Sequence, residues 1–178
     1  MKATDANGLL AQIDKCTISI PGATTLIPRI LPEISDSKSV SYTDEVVIGR
    51  SFPIKTFSHA DNRVFSVKWH FLIIDDVTRT EAVNGLKAIQ SCVYPYDVSP
   101  DGSAPYAPPA ICKLSCKRLF ATGKDEGICA VLRRYSVSYP TEVGWDEQTY
   151  LPYKFAVDME WEAVFASTNL PGRDKIIS

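Results

Sequence analysis

The sequence predicts a mainly β chain, an α+β arrangement built on an antiparallel sheet with one helix at its side. Three observations carry this. Apolar and polar residues alternate over 64–74 and again over 153–165. That is the period-2 signature of half-buried strands, and a sheet with one buried and one polar face favours antiparallel pairing. Helical spacing stands out once, after Thr78-Arg79-Thr80-Glu81. The 178 residues, 45% hydrophobic and 22% charged, have the length of one domain and enough apolar content to form a core without a metal or disulfide.

The elements follow in order. Cys16, Ile18 and Ile20 alternate ahead of Pro21-Gly22, which predicts a short strand. Residues 26–34 carry Pro28 and Pro32 and so read as an extended arm, neither helix interior nor central strand. Residues 45–48 suit a strand, and 49–62, with Pro53, a loop or edge segment. In 64–74, Phe65, Val67, Trp69, Phe71 and Ile73 share one face, with Ser66, Lys68 and His70 opposite. Thr78 and Glu81 have capping-box spacing, with Thr78 as N-cap, and Ala82, Val83, Leu86, Ile89 and Val93 follow at helical intervals. The helix should end near Ser91, ahead of Pro95.

Residues 94–109 hold five prolines and an Asp101-Gly102-Ser103 turn. A loop of that length suits either a partner contact, with Tyr94, Tyr96 and Tyr106 as contact residues, or a loop packed back on its own sheet. In 111–120, Cys112, Leu114 and Cys116 oppose Lys113, Ser115 and Lys117, with a bulge or strand end at Arg118-Leu119. The polar, glycine-bounded residues 122–127 make a hairpin turn. In 128–139, Cys129, Val131, Tyr135, Val137 and Tyr139 are placed on one face, with Arg133 the exception. After a link over 140–152, Tyr153, Phe155, Val157, Met159, Trp161 and Phe165 oppose Lys154, Asp158, Glu160 and Glu162. Residues beyond Ser167 read as an exposed terminus.

Charge and cysteine content exclude several classes. Nineteen basic against 21 acidic residues, a net charge of -2, argue against a generic nucleic-acid clamp or a polybasic membrane binder. No stretch approaches the ~20 apolar residues of a membrane helix, so no membrane insertion is expected. The first sixteen residues lack an apolar core of the secretory type. Five cysteines leave at least one unpaired. Cys112 and Cys116 would lie ~13 Å apart along a strand, too far to bridge. All five read as reduced thiols in or near the core, which suggests a reducing compartment.

Convergent chemistry is sparse. His59 lies near Ser58 and Asp61, and His70 sits mid-strand on a polar face. No nucleophile elbow, metalloprotease helix or phosphate-cradling loop occurs. Cys112-x3-Cys116 lacks the second pair that zinc requires. No catalytic, cofactor-binding or metal residue is therefore assigned, and no enzyme is expected. The acidic stripe Asp158, Glu160 and Glu162 stands near Lys113, Lys117, Arg118 and Arg134 on neighbouring strands. These charges either pair across a solvated face or meet between subunits. As a channel wall the acids would repel a passing polyanion such as DNA.

The order of elements is distinctive: Ser66-Val67-Lys68-Trp69-His70-Phe71 leading to one helix, Ala107-Pro108-Pro109 feeding a strand, then 127–137, Pro140 and Leu151-Pro152-Tyr153 before the last strand. Over residues 63–166 this resembles the small β-rich tail proteins of contractile-tailed bacteriophages, nearest the tube-to-baseplate adaptors called ripcord proteins and the related baseplate hub proteins. The resemblance implies a tail-tube-like β-sandwich or split barrel with a flanking helix. Residues 1–178 would form a single domain with 1–62 as a partly extended arm region. It further implies a virion protein, assembled in the host cytoplasm, forming a homo-oligomeric ring around the DNA channel. A hexamer is favoured and a trimer is the alternative; the partners are tail tube, sheath and baseplate hub. Leu26, Ile27, Ile30 and Leu31 would be the inter-subunit arm. Asp158, Glu160 and Glu162, with Lys113, Lys117 and Arg118, would line the lumen or the subunit interface. Some relatives carry a C-terminal LysM-type module, which is not expected here. A tail-tube, tail-terminator or trimeric hub role is the alternative within this class. A protein- or carbohydrate-binding β-sandwich module is the alternative outside it.

Overall fold

The computed structural model describes residues 16–23, 25–95, 108–116, 127–147 and 149–165. Its elements are β1 (Cys16–Ser19), β2 (Glu33–Ser37), β3 (Val40–Glu45), β4 (Ile54–Ala60), β5 (Val64–Leu72), α1 (Asp76–Ser91), β6 (Cys112–Cys116), β7 (Ile128–Ser138) and β8 (Lys154–Ala163). Six strands form one antiparallel sheet in the order β1-β6-β7-β8-β5-β2. The fold is mainly β with one helix, and this sheet curls into an open half-barrel. β3 and β4 pair separately as a hairpin.

The centre of the sheet is the β5–β8 ladder. Phe65 lies opposite Trp161, Val67 opposite Met159, Trp69 opposite Val157 and Phe71 opposite Phe155. Most of these side chains are fully buried, and each large one contributes about 1.5–3 kcal/mol by leaving water. Phe71 and Phe155 stack at 4.9 Å between centroids. Tyr153 precedes β8 and is exposed rather than part of the buried row.

α1 covers the apolar face beside β5, burying Thr78, Ala82, Gly85 and Ile89. Its N-cap is Asp75, not Thr78. The Asp75 carboxylate accepts from the Thr78 amide at 2.7 Å, and the Thr78 hydroxyl accepts from the Asp75 amide at 2.9 Å. Thr78 thus takes the N3 position of the box, which starts the helix three residues early. Glu81 is released for a tertiary role, holding Arg29 through both carboxylate oxygens at 2.9–3.1 Å.

That ion pair belongs to a wider correction. The segment carrying Leu26, Ile27, Ile30 and Leu31 is docked rather than projecting. Leu26 bridges to Ile18 through two backbone hydrogen bonds of 2.8 and 3.1 Å, extending the β1 edge. Pro28 is fully buried, Leu26, Ile27 and Ile30 are half-buried, and only Leu31 is exposed. Apolar side chains beside an open core edge gain more by covering it than by waiting for a neighbour. β2 continues from this segment into the sheet edge, with Ile34 opposite Val67.

β7 contains a bulge at Arg133: Leu132 lies opposite Trp161 and Arg134 opposite Glu160, leaving Arg133 unmatched. Before the bulge the buried residues are Ile128, Ala130 and Leu132; after it Tyr135 and Val137 face the core. Cys129 is therefore exposed, and Cys129 and Val131 do not share the inner face with Tyr135. One extra residue reverses the phase of an alternating strand.

The all-reduced reading of the cysteines is also corrected. β1 pairs with β6 so that Cys16 lies directly opposite Cys116, with Cα atoms 4.0 Å apart, and the two are disulfide-bonded. Distance along one strand excludes Cys112–Cys116 but says nothing about a pair created by cross-strand register. Finally, residues read as loop or edge form the second strand of a hairpin, β4. The further course of the 111–120 strand, including Lys117 and Arg118, lies outside the described residues.

Candidate functional site

Among the described residues the β3–β4 hairpin is the most unusual surface. Every residue of both strands is exposed, and among the described elements the two strands touch chiefly one another. Their connection carries Val46, Ile48 and Phe52, which are 85%, 102% and 81% exposed. Tyr42 and Phe57 meet edge to face at 6.2 Å, and Lys55 reaches Asp44 at 2.8 Å. At its base Ser39 hydrogen-bonds Asp61, and the Asp61 amide donates to the Ser39 carbonyl. Large apolar side chains clustered on an exposed two-stranded element make it the candidate interaction surface. The sequence expectation missed this surface. Its visible signal was the cluster Val46-Val47-Ile48 followed by Phe52 without any periodic partner.

The polar face of the large sheet holds the acidic stripe. Asp158, Glu160 and Glu162 do point together away from the core. Their cations are Lys68 at 3.9 Å from Asp158, Arg134 at 3.9 Å from Glu160 and Arg133 at 3.0 Å from Glu162. Asn62 also donates to Glu162 at 2.7 Å. Lys113 is on β6, with β7 between it and β8, and faces Cys129 across the ladder. The β7 bulge explains the pairing. It sets Arg133 and Arg134, neighbours in sequence, beside successive outward carboxylates of β8. Among the described residues, with Glu33 near His70, four carboxylates face three cations, a ladder of partly exposed ion pairs rather than a bare negative wall. Such pairs contribute about 0–1 kcal/mol each.

The histidines sit apart. His59 is 63% exposed on β4, with Ser58 Oγ at 3.1 Å from Nδ1 and Asp61 Oδ1 at 3.4 Å from Nε2. The trio stands in water on the hairpin, where a general base gains nothing from exclusion of solvent. His70 is mostly buried: Nε2 meets Glu33 at 3.3 Å, and Nδ1 has no hydrogen-bond partner among the described residues. It borders a cavity of about 680 Å³ between α1, β5 and the docked segment, lined also by Leu26, Phe71, Glu81 and Gly85. Among the described residues no three His, Cys, Asp or Glu side chains converge as a metal site. No described helix is long and apolar enough to cross a membrane.

Of the tyrosine cluster, Tyr94 is exposed just after α1, beside Tyr135 of β7. Burial and the Tyr94 hydroxyl push the Tyr135 phenol above its usual range. Tyr96 and Tyr106 lie outside the described residues.

No known protein family matches the chain, and a search of curated proteins found no relative.

Proposed function

We propose that this chain is a non-catalytic structural protein of a contractile phage tail, a ring-forming subunit at the junction of tail tube and baseplate. The exposed β3–β4 hairpin carries the reading. A monomer gains nothing by holding Val46, Ile48 and Phe52 in water, whereas a subunit that inserts them against a copy of itself buries them all. An open sheet supports the same reading, because β2 leaves a strand edge that a neighbouring copy can pair. In this reading the finer fold type is that of a tail-tube domain. The hairpin replaces the 26–31 segment as the inter-subunit arm. The ion-pair ladder of β8 sets register or lines the channel with only a weak repulsion of DNA.

The test is solution mass by light scattering after size exclusion, for the wild type and for an Ile48→Asp, Phe52→Asp variant. The two positions are exposed, so the substitutions should leave the monomer fold within about 0.5 kcal/mol. A closed oligomer, a hexamer before a trimer, should dissociate to monomer in the variant with an unchanged circular dichroism spectrum. A wild type that stays monomeric at high concentration, alone and with tail-tube and hub proteins, overturns the reading in favour of a monomeric binding module.

A further inference from the structure

Cys92 and Cys112 are 0% and 1% exposed, and their sulfurs lie 3.5 Å apart. Cys92 is the C-cap of α1, and Cys112 opens β6. Four residues along the same face of β6, Cys116 is already bonded to Cys16 of β1. Among the described residues β6 pairs with three residues of β7 and four of β1.

We propose that Cys92 and Cys112 are a second disulfide site, closed in the folded chain by a small-molecule disulfide of the glutathione type, so that β6 is tied covalently to β1 and to the end of α1. In the first step the Cys92 thiolate attacks one sulfur of the oxidant and expels a thiolate, leaving a mixed disulfide. In the second the Cys112 thiolate attacks the Cys92 sulfur and expels the other. Two protein thiols lose two electrons to the oxidant, and the two protons they release end on the two expelled thiols.

The Cys92 thiol reaches the Ala88 carbonyl at 3.2 Å, the Cys112 thiol reaches the Ala110 carbonyl at 3.7 Å, and either sulfur can donate to the other. With Cys112 donating, the Cys92 thiol is held below its usual range and the Cys112 thiol above it, which fits Cys92 as the first nucleophile. Access comes from the helix end, since last turns fray more readily than helix interiors open. The resulting link would fix both ends of the connection from α1 to β6, whatever the path of the residues between.

The experiment uses the full chain carrying Cys129→Ser, which removes the exposed competing thiol. The folded protein is incubated with glutathione disulfide, then denatured, alkylated and mapped without reduction. The expected result is loss of both remaining thiols, a mass lower by two hydrogens, and a peptide pair linked through Cys92 and Cys112. The denaturant midpoint should rise on oxidation and stay unchanged in Cys92→Ser. Wild type treated in parallel should gain glutathione at Cys129, which proves the oxidant active. The proposal is overturned if Cys92 and Cys112 are both recovered alkylated, if Cys92 stops at the mixed disulfide, or if the link forms only in denaturant. The thiol map needs no variant at either position, so a misfolded Cys92→Ser would leave the test standing.

Discussion

Gly85 of α1 lies close against the Phe71 ring of β5. A Cβ built there would meet Phe71 Cε1 at 2.9 Å, and the Phe71 ring cannot swing away freely because it stacks on Phe155. Gly85→Ala gains about 1 kcal/mol of helix propensity but loses about 1–3 kcal/mol to overpacking. The net expectation is a destabilisation of about 1 kcal/mol in urea unfolding, largely relieved by adding Phe71→Leu. Full stability in the single variant would mean that α1 rides higher over β5. Ten residues earlier, the Asp75 carboxyl lies below its ordinary pKa of 3.8, held there chiefly by the Thr78 amide and hydroxyl. A lowered folded pKa stabilises above the unfolded value and is lost as pH falls through the folded one. The thermal midpoints of wild type and Asp75→Asn should therefore differ most above the ordinary carboxylate pKa and converge as pH falls through the lowered folded one. A gap constant across that window would remove the charge from the cap.

At the scale of the element, β7 decides how the alternation is read. The bulge at Arg133 places Ala130 inside and Cys129 outside. Cys129→Lys should cost no more than about 0.5 kcal/mol, while Ala130→Lys, with no space or partner for its charge, should cost more than about 4 kcal/mol. Chemical denaturation of the pair distinguishes this register from the unbulged one, which predicts the reverse order. The same element marks what the sequence could convey. β5 and β8 were legible because each keeps one phase from end to end, with every inward residue apolar. β7 was legible as a strand but not as a face, since its phase changes midway. The Arg133-Arg134 doublet was the visible trace of that change. The helix was legible in extent at its C-terminus but not at its start, where the capping box joins Asp75 to Thr78 and Glu81 is taken up by Arg29. The hairpin β3–β4 was almost illegible because periodicity reports burial, and neither strand buries anything. Cys16–Cys116 could not be read at all without the register of β1 on β6, and the partners of the acidic stripe required the strand order.

At the scale of the molecule, one part of the chain is held by a core and another is not. The six-stranded sheet buries a continuous apolar cluster from Cys16 to Ala163. Among the described residues the hairpin is held chiefly by its own cross-strand contacts, Tyr42 on Phe57 and Lys55 with Asp44, and by Ser39 with Asp61 at its base. A two-stranded ribbon of this kind is marginally stable in water. Amide protection should reflect that division and should depend on assembly. In dilute monomer, amides of β3 and β4 should exchange close to the unsupported limit while those of β5 and β8 require global opening. As concentration rises and copies associate, protection should appear in β3 and β4 first, with β5 and β8 unchanged. Hydrogen exchange followed by mass spectrometry across a concentration series reads this directly. Hairpin amides as protected as β5 at the lowest concentration would mean that the ribbon holds itself, and its apolar tip would then need no copy to explain it. Hairpin amides unprotected at every concentration, in a sample that nevertheless forms a closed oligomer, would move the subunit contact to the sheet edge at β2. The pattern of protection therefore locates the contact as well as detecting it.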